Sequence, residues 1–177
     1  MASSSIQKSS RLSPYDIYLK ERIVSVFKLF DKENNDTINS DDLGAFIRCL
    51  YLCPMESEID DVLKMVENPE NPGTIHIERI MPVMLDIMKT EKFKPVDAEL
   101  LKEAFEYLDR EKKHYLTEEE AKQIFTKYGE PFTKEEMDNM LDFAVSSRDN
   151  RIYYQNYLSQ SVITEEEYLK GKKSNKD

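Results

Sequence analysis

Glycine is scarce in this chain, four residues in 177, and no two of them lie close enough to form a loop that cradles a phosphate. Histidine is scarcer still: His76 and His114 fall in separate segments, and no nucleophile with a base beside it can be argued for either. The many carboxylates sit on helical faces that read as solvated, so no enzyme is expected. Cysteine is limited to Cys49 and Cys53, four apart in a segment that reads as helical. Without a third or fourth thiol they complete no zinc set, and they read as free, partly buried thiols of a reducing compartment. Long apolar runs are missing too. Residues 1–13 are polar and serine-rich, without the roughly 7–15 apolar residues of a secretory signal, and no stretch reaches the ~18 needed to cross a bilayer. A soluble intracellular protein is expected.

Acid is what the chain has in excess. The formal charge of −10 is distributed as +2 over residues 1–15, −7 over 16–92, −5 over 93–163 and zero over 164–177. An acidic body has no electrostatic drive toward a phosphate backbone, so neither nucleic acid nor membrane is expected as a partner. A basic or amphipathic partner suits it better. The lysines of residues 170–176 read as a solubilising end.

Apolar residues then recur in four similar blocks. Ile23, Phe27 and Phe30 mark a helix that stops at Asp31-Lys32-Glu33-Asn34-Asn35-Asp36, and a second helix over residues 40–52 follows with Leu43, Phe46, Ile47 and Leu50 on one face. After Pro54 the same grammar returns: Ile59, Val62, Leu63 and Val66, a breaker-rich loop, then Ile77, Ile80, Met81 and Met84. The third block runs through Leu101, Phe105 and Leu108 to Ala121, Ile124 and Phe125; the fourth runs through Met137, Met140 and Leu141 to Tyr154, Tyr157 and Leu158. One aliphatic residue sits inside each polar loop: Ile38, Ile75, Leu116 and Ile152, at intervals of 37, 41 and 36. Such spacing is the signature of repeated supersecondary units, and an isolated β-branched or aliphatic residue in a polar loop suits a short β bridge between paired loops.

The longest interval contains Lys89-Thr90-Glu91-Lys92-Phe93-Lys94-Pro95, which reads as a linker, and the division between units is expected near Lys92. Domains are accordingly expected at 16–92 and 93–163, with tails at 1–15 and 164–177. Thr117 with Glu120, and Thr133 with Glu136, match the capping box of a helix start. Gly129-Glu130-Pro131 is expected to end the helix before Thr133.

The pattern is that of an all-α, calmodulin-like fold of two lobes, each a pair of EF-hand helix–loop–helix units. A 12-residue calcium loop of that type needs oxygens at positions 1, 3, 5, 9 and 12, glycine at 6, and a bidentate glutamate at 12. The first loop, residues 31–42, offers Asp31, Glu33, Asn35, the Thr37 carbonyl, Asn39 and Asp42, but has Asp36 at the glycine position and a shorter carboxylate at the end. It is the one loop expected to hold calcium or magnesium, weakly. The second, residues 67–79, is one residue too long and ends in Arg79. The third, residues 109–120, keeps Asp109 and Glu120 but inserts Lys113 and His114. The fourth, residues 145–156, opens on Val145 and closes on Asn156, leaving Asp149 as its one anion. Packing residues are all retained while ligands are mostly lost, so no ion is required for the expected role: a scaffold used for its shape.

Several stretches carry a resemblance: Phe30-Asp31 with Asn34-Asn35 and Leu43-Gly44, Ile47-Arg48, Pro54 with Glu58, Pro72-Gly73-Thr74-Ile75, Pro82-Val83-Met84, Ala104-Phe105-Glu106, Leu116-Thr117, and Gly129-Glu130-Pro131-Phe132 leading into Glu135-Glu136-Met137. Over about residues 20–158 the chain resembles the calmodulin-like family of dynein regulatory complex subunit 8, small EF-hand subunits of the axonemal nexin–dynein regulatory complex. The resemblance implies a cilium or flagellum, a place in the cytoskeleton, and a hetero-oligomeric assembly with coiled-coil and other calmodulin-like subunits. Each lobe would then grip an amphipathic helix, with Met81, Met84, Met88, Phe125, Met137 and Met140 as candidate groove residues; ordinary core is the competing reading of each methionine. A weak ion sensor using the first loop, and a light-chain-like subunit of a motor, are the alternatives.

Overall fold

The computed structural model describes residues 13–161, and the first of them is already a helix cap. Ser13 Oγ accepts the Asp16 amide while Asp16 Oδ2 accepts the Ser13 amide, a reciprocal box that starts helix α1 (Pro14–Phe30) with proline at its first turn. Helix α1 thus takes in Pro14 and Tyr15, which were expected to precede the first unit. The expected carboxy-terminal tail, residues 164–177, lies outside the described residues.

The chain divides after Pro95 into two units. The first continues with β1 (Thr37–Asn39), a 3-10 turn (Ser40–Asp42), α2 (Leu43–Cys49), α3 (Glu56–Val66), β2 (Thr74–His76) and α4 (Ile77–Lys89). The second holds α5 (Ala98–Leu108), β3 (Leu116–Thr117), α6 (Glu118–Phe125), α7 (Lys134–Ala144), β4 (Arg151–Ile152) and α8 (Tyr154–Ser161). The division falls beyond the expected Lys92 because Phe93 belongs to the first core. Its ring is buried, its carbonyl accepts the Cys53 amide at 2.8 Å, and the Lys92 ammonium lies 4.7 Å from its centroid.

Within each unit the two loops pair antiparallel through the predicted aliphatic residues, Ile38 opposite Ile75 and Leu116 opposite Ile152, all four buried. Burying both members removes apolar surface from water and fixes the register of the bridge.

The two interiors differ. In the first unit one continuous core joins all four helices, from Leu19, Ile23 and Phe27 on α1 through Phe46 and Ile47 on α2 to Ile80, Met84 and Met88 on α4. Phe46 packs nearly perpendicular to both Phe27 and Phe30, an arrangement favoured by the ring quadrupoles. In the second unit the core is split. Phe105, Leu116, Tyr154 and Leu158 join α5 to α8, and Ala121, Met137, Leu141 and Ile152 join α6 to α7.

Other expectations need adjusting. The helix expected over residues 40–52 is a 3-10 turn followed by α2, which ends at Cys49, so the two cysteines do not share a helical face. Both thiols are free and both residues are exposed, not partly buried. Helix α6 ends at Phe125, four residues before Gly129, whose φ of +71° serves the following turn.

Candidate functional site

The four loops share one turn, made in four ways. At its centre stands Asp36, Gly73, His114 or Asn150, and all four adopt positive φ: 60°, 85°, 64° and 55°. Only Gly73 does so without steric penalty. Asp36 and His114 are held there by hydrogen bonds to the residue that opens the loop, and Asn150 by its amide bond to the Ser146 carbonyl.

In the first loop the buried Asp31 accepts the Asn35 amide on Oδ1 at 3.1 Å and the Asp36 amide on Oδ2 at 3.0 Å. Glu33 accepts from the Asn35 side chain, Thr37 donates its hydroxyl to Asn35 Oδ1 at 2.6 Å, and Asn39 Oδ1 caps the Asp41 amide. Asp42 leads into α2 without a side-chain cap bond. Glu33, Asn35, Thr37, Asn39 and Asp42 line one recess, but several of them are engaged with one another. Among the described residues, no group of three or more His, Cys, Asp or Glu side chains converges as an ion cage.

In the second loop Glu67 plays the opening part. Its Oε1 accepts the Gly73 amide at 2.9 Å and the Ser40 hydroxyl at 3.3 Å. The span from Glu67 to Gly73 is one residue longer than from Asp31 to Asp36, which matches the extra residue read in this loop; glutamate's additional methylene bridges it. Arg79 donates Nε to the Val66 carbonyl at 3.0 Å, tying the two ends of the loop without an ion.

In the third loop Asp109 is buried and accepts the His114 amide at 2.6 Å and the Tyr154 hydroxyl at 3.3 Å on Oδ2. Burial pushes its carboxyl up, but the Lys113 and His114 amides, the Tyr154 hydroxyl and the Lys113 charge outweigh it and hold the carboxyl below the ordinary value. Lys113 reaches across the loop, 2.7 Å from Glu120 Oε1 and 3.6 Å from Glu111 Oε2, with the Tyr115 ring centroid 5.3 Å away. That bond first, and the Thr117 amide second, hold the Glu120 carboxyl low.

The fourth loop uses no carboxylate at its start. Val145 is half-buried against the core, and the turn closes through Asn150 N–H to the Ser146 carbonyl and Ser146 N–H to the Arg151 carbonyl. Asp149 accepts the Tyr153 hydroxyl at 2.7 Å, and Asn156 is exposed on α8.

The groove candidates separate by unit. Met84 and Met88 are buried in the continuous first core and Met81 packs half-buried against it, so in this conformation they are core and not an open surface. In the second unit Met137 is buried, while Met140 and Phe125 are half-buried; Phe125 touches both halves of the split core. From it runs a line of rings: Phe132 to Phe125 at 5.7 Å, Phe125 to Phe105 at 6.0 Å, Phe105 to Tyr157 at 6.1 Å, and Tyr157 to Phe143 at 6.0 Å between centroids. Phe143 is 57% exposed and Phe132 37%. Sequence reasoning missed Phe132 and Phe143 as surface residues. The available signal was that Phe143 stands off the apolar face formed by Met137, Met140, Leu141 and Ala144.

Two pairs of helix–loop–helix units, each bridged through an aliphatic pair, define a calmodulin-like EF-hand protein. The mouse (Mus musculus) dynein regulatory complex protein 8 is 36% identical over 147 residues, covering 83% of this chain and 90% of the mouse protein. The human (Homo sapiens) protein of the same name is 37% identical over 106 residues, 60% of this chain and 39% of the human length. The chain belongs to the dynein regulatory complex protein 8 family, and also to the family described as a domain of unknown function, DUF2666, whose model matches residues 61–165. A putative calmodulin-like protein 6 from rice (Oryza sativa subsp. japonica) is 27% identical over 83% of this chain and 88% of its own. Among solved structures, Mlc1p bound to IQ2 of Myo2p, a class V myosin, aligns with a TM-score of 0.63 at 19% identity over 79% of this chain and 96% of that one. The Physarum polycephalum myosin II regulatory domain aligns with a TM-score of 0.62 at 20% identity over 82% and 96%. At these identities the two light-chain structures share the fold.

Proposed function

We propose that this chain is a non-enzymatic structural subunit of the ciliary nexin–dynein regulatory complex that grips an amphipathic or coiled-coil helix of a partner subunit in the cleft of its second unit, and so takes part in controlling dynein-driven motility. The observation that carries this reading is the split core with its half-open line of five rings. Aromatic surface left exposed beside a divided core is what a helix-in-groove interface needs, and the acidic surroundings favour a helix with basic flanks. Family membership supports the assembly and an axonemal location, and loops that have mostly lost their ion ligands suit a grip that is permanent.

The reading is tested by affinity capture of the tagged full chain from axonemes with cross-linking of what it holds. Capture should recover a coiled-coil subunit of the complex, cross-linked to residues of α5 to α8, and the exposed Phe143→Ser should reduce recovery about tenfold, on the order of the ~1.4 kcal/mol of one anchor contact. Capture that yields no coiled-coil subunit, or that is indifferent to Phe143→Ser, contradicts it.

A second reading, weak calcium or magnesium binding at the first loop, is favoured by Asp31, which already holds the turn through both carboxylate oxygens. Calorimetry that detects no heat with either ion at about 1 mM would remove it. A motor light-chain role would instead require an IQ-type basic repeat in the bound helix.

A further inference from the structure

In a loop of this type the divalent ion lies between the side chain at position 5 and the glutamate at position 12. Lys113 stands at the first of these places and Glu120 at the second, and the ammonium nitrogen is 2.7 Å from Glu120 Oε1. The nitrogen therefore occupies the region in which an ion would meet that carboxylate. We propose that Lys113 is the resident cation of the third loop: its tethered ammonium replaces a divalent ion, neutralises Glu120 and keeps the second unit folded in its paired-loop form without calcium.

The surroundings are those of an occupied ion site. The Lys113 side chain is only 20% exposed, unlike the solvated lysine of an ordinary surface pair such as Lys64 with Asp61 at 73%. Its charge also acts on buried Asp109, whose Oδ1 makes no hydrogen bond among the described residues. The Tyr115 ring and the Glu111 carboxylate complete the setting, so a single cation serves three carboxylates beside a π face. The rest of the loop is in its working arrangement: Asp109 holds the turn, Glu120 closes the capping box with Thr117, and Leu116 pairs with Ile152. Calcium does not fit beside this ammonium, because two cations on one carboxylate repel in a partly desolvated site. The inference is independent of which partner the cleft holds.

Three variants of the full chain test it, each followed by thermal unfolding and by the amide resonances of Thr117, Glu120 and Ile152, with chelator and with about 5 mM calcium. The parent should show no calcium response at these amides. Lys113→Met keeps the stem and removes the charge; it should lower the second unit's Tm by about 4–8 °C and shift the Thr117 and Glu120 amides. Lys113→Arg, which restores the charge, should return most of that loss. Lys113→Asp supplies an oxygen in place of the cation; it should be the least stable variant in chelator and should regain stability with calcium, with a Kd under about 1 mM. Lys113→Met with the parent's Tm and unshifted Glu120 amide would overturn the proposal. So would calcium binding by the parent at the third loop, or a loss in Lys113→Met that Lys113→Arg does not repair.

Discussion

Asp109 shows how much one buried carboxylate can organise. It holds the His114 amide, which fixes a non-glycine residue at positive φ, and it anchors the hydroxyl of Tyr154, whose ring stacks on Phe105 at 5.6 Å. Asp109→Ala leaves the buried Tyr154 hydroxyl and the part-buried His114 amide without their acceptor and is expected to destabilise the second unit by about 1–3 kcal/mol, read as a lower urea midpoint in near-ultraviolet circular dichroism. The pH dependence follows in sign. The folded carboxyls of Asp109 and Glu120 are held below their unfolded values, so they add stability that is complete above the ordinary carboxylate range, about 4, and is lost as pH falls through the folded values. Thermal midpoints measured from pH 6 down to about 3 should fall, and more shallowly in Asp109→Ala.

At the scale of elements, helix starts are set locally. Thr133 Oγ1 accepts the Glu136 amide at 3.2 Å and Glu136 Oε2 accepts the Thr133 amide at 2.8 Å, satisfying two of the free donors that begin α7. Thr133 is exposed and far in sequence from the loops, so Thr133→Ala isolates the cap. It should cost about 1 kcal/mol by urea unfolding without changing any loop amide shift. The capping boxes at Thr117 and Thr133 were legible in the sequence because they depend on residues three apart. Helix ends were less so: α2 stops at Cys49 and α6 at Phe125, where backbone turns take over from any glycine or proline signal.

For the whole molecule the contrast between units matters most. A continuous core spanning four helices opposes local opening of the first unit, whereas the second rests on two small clusters joined through Phe125 and Phe105. Hydrogen exchange of the full chain should find α5, α6, α7 and α8 exchanging faster than α1 and α4, with the difference narrowing when a partner helix binds. Equal protection in the free protein would contradict the split-core account.

The sequence by itself determined the four units, the aliphatic bridge residues and the loss of calcium ligands, because these depend on periodicity and on the identity of side chains at fixed spacing. It also located the extra residue of the second loop, which the reach of Glu67 to Gly73 accommodates. Tertiary structure alone decided three things. Asp36, His114 and Asn150 make the turn that glycine would make, since bonds from elsewhere in each loop repay the strain. Which methionines are core was decided there too: Met84, Met88 and Met137 are buried while Met81 and Met140 are half-buried, because closure of the helices is a property of their joint packing. And Lys113, read along the chain as a residue that blocks calcium, is in the folded loop the charge that takes its place.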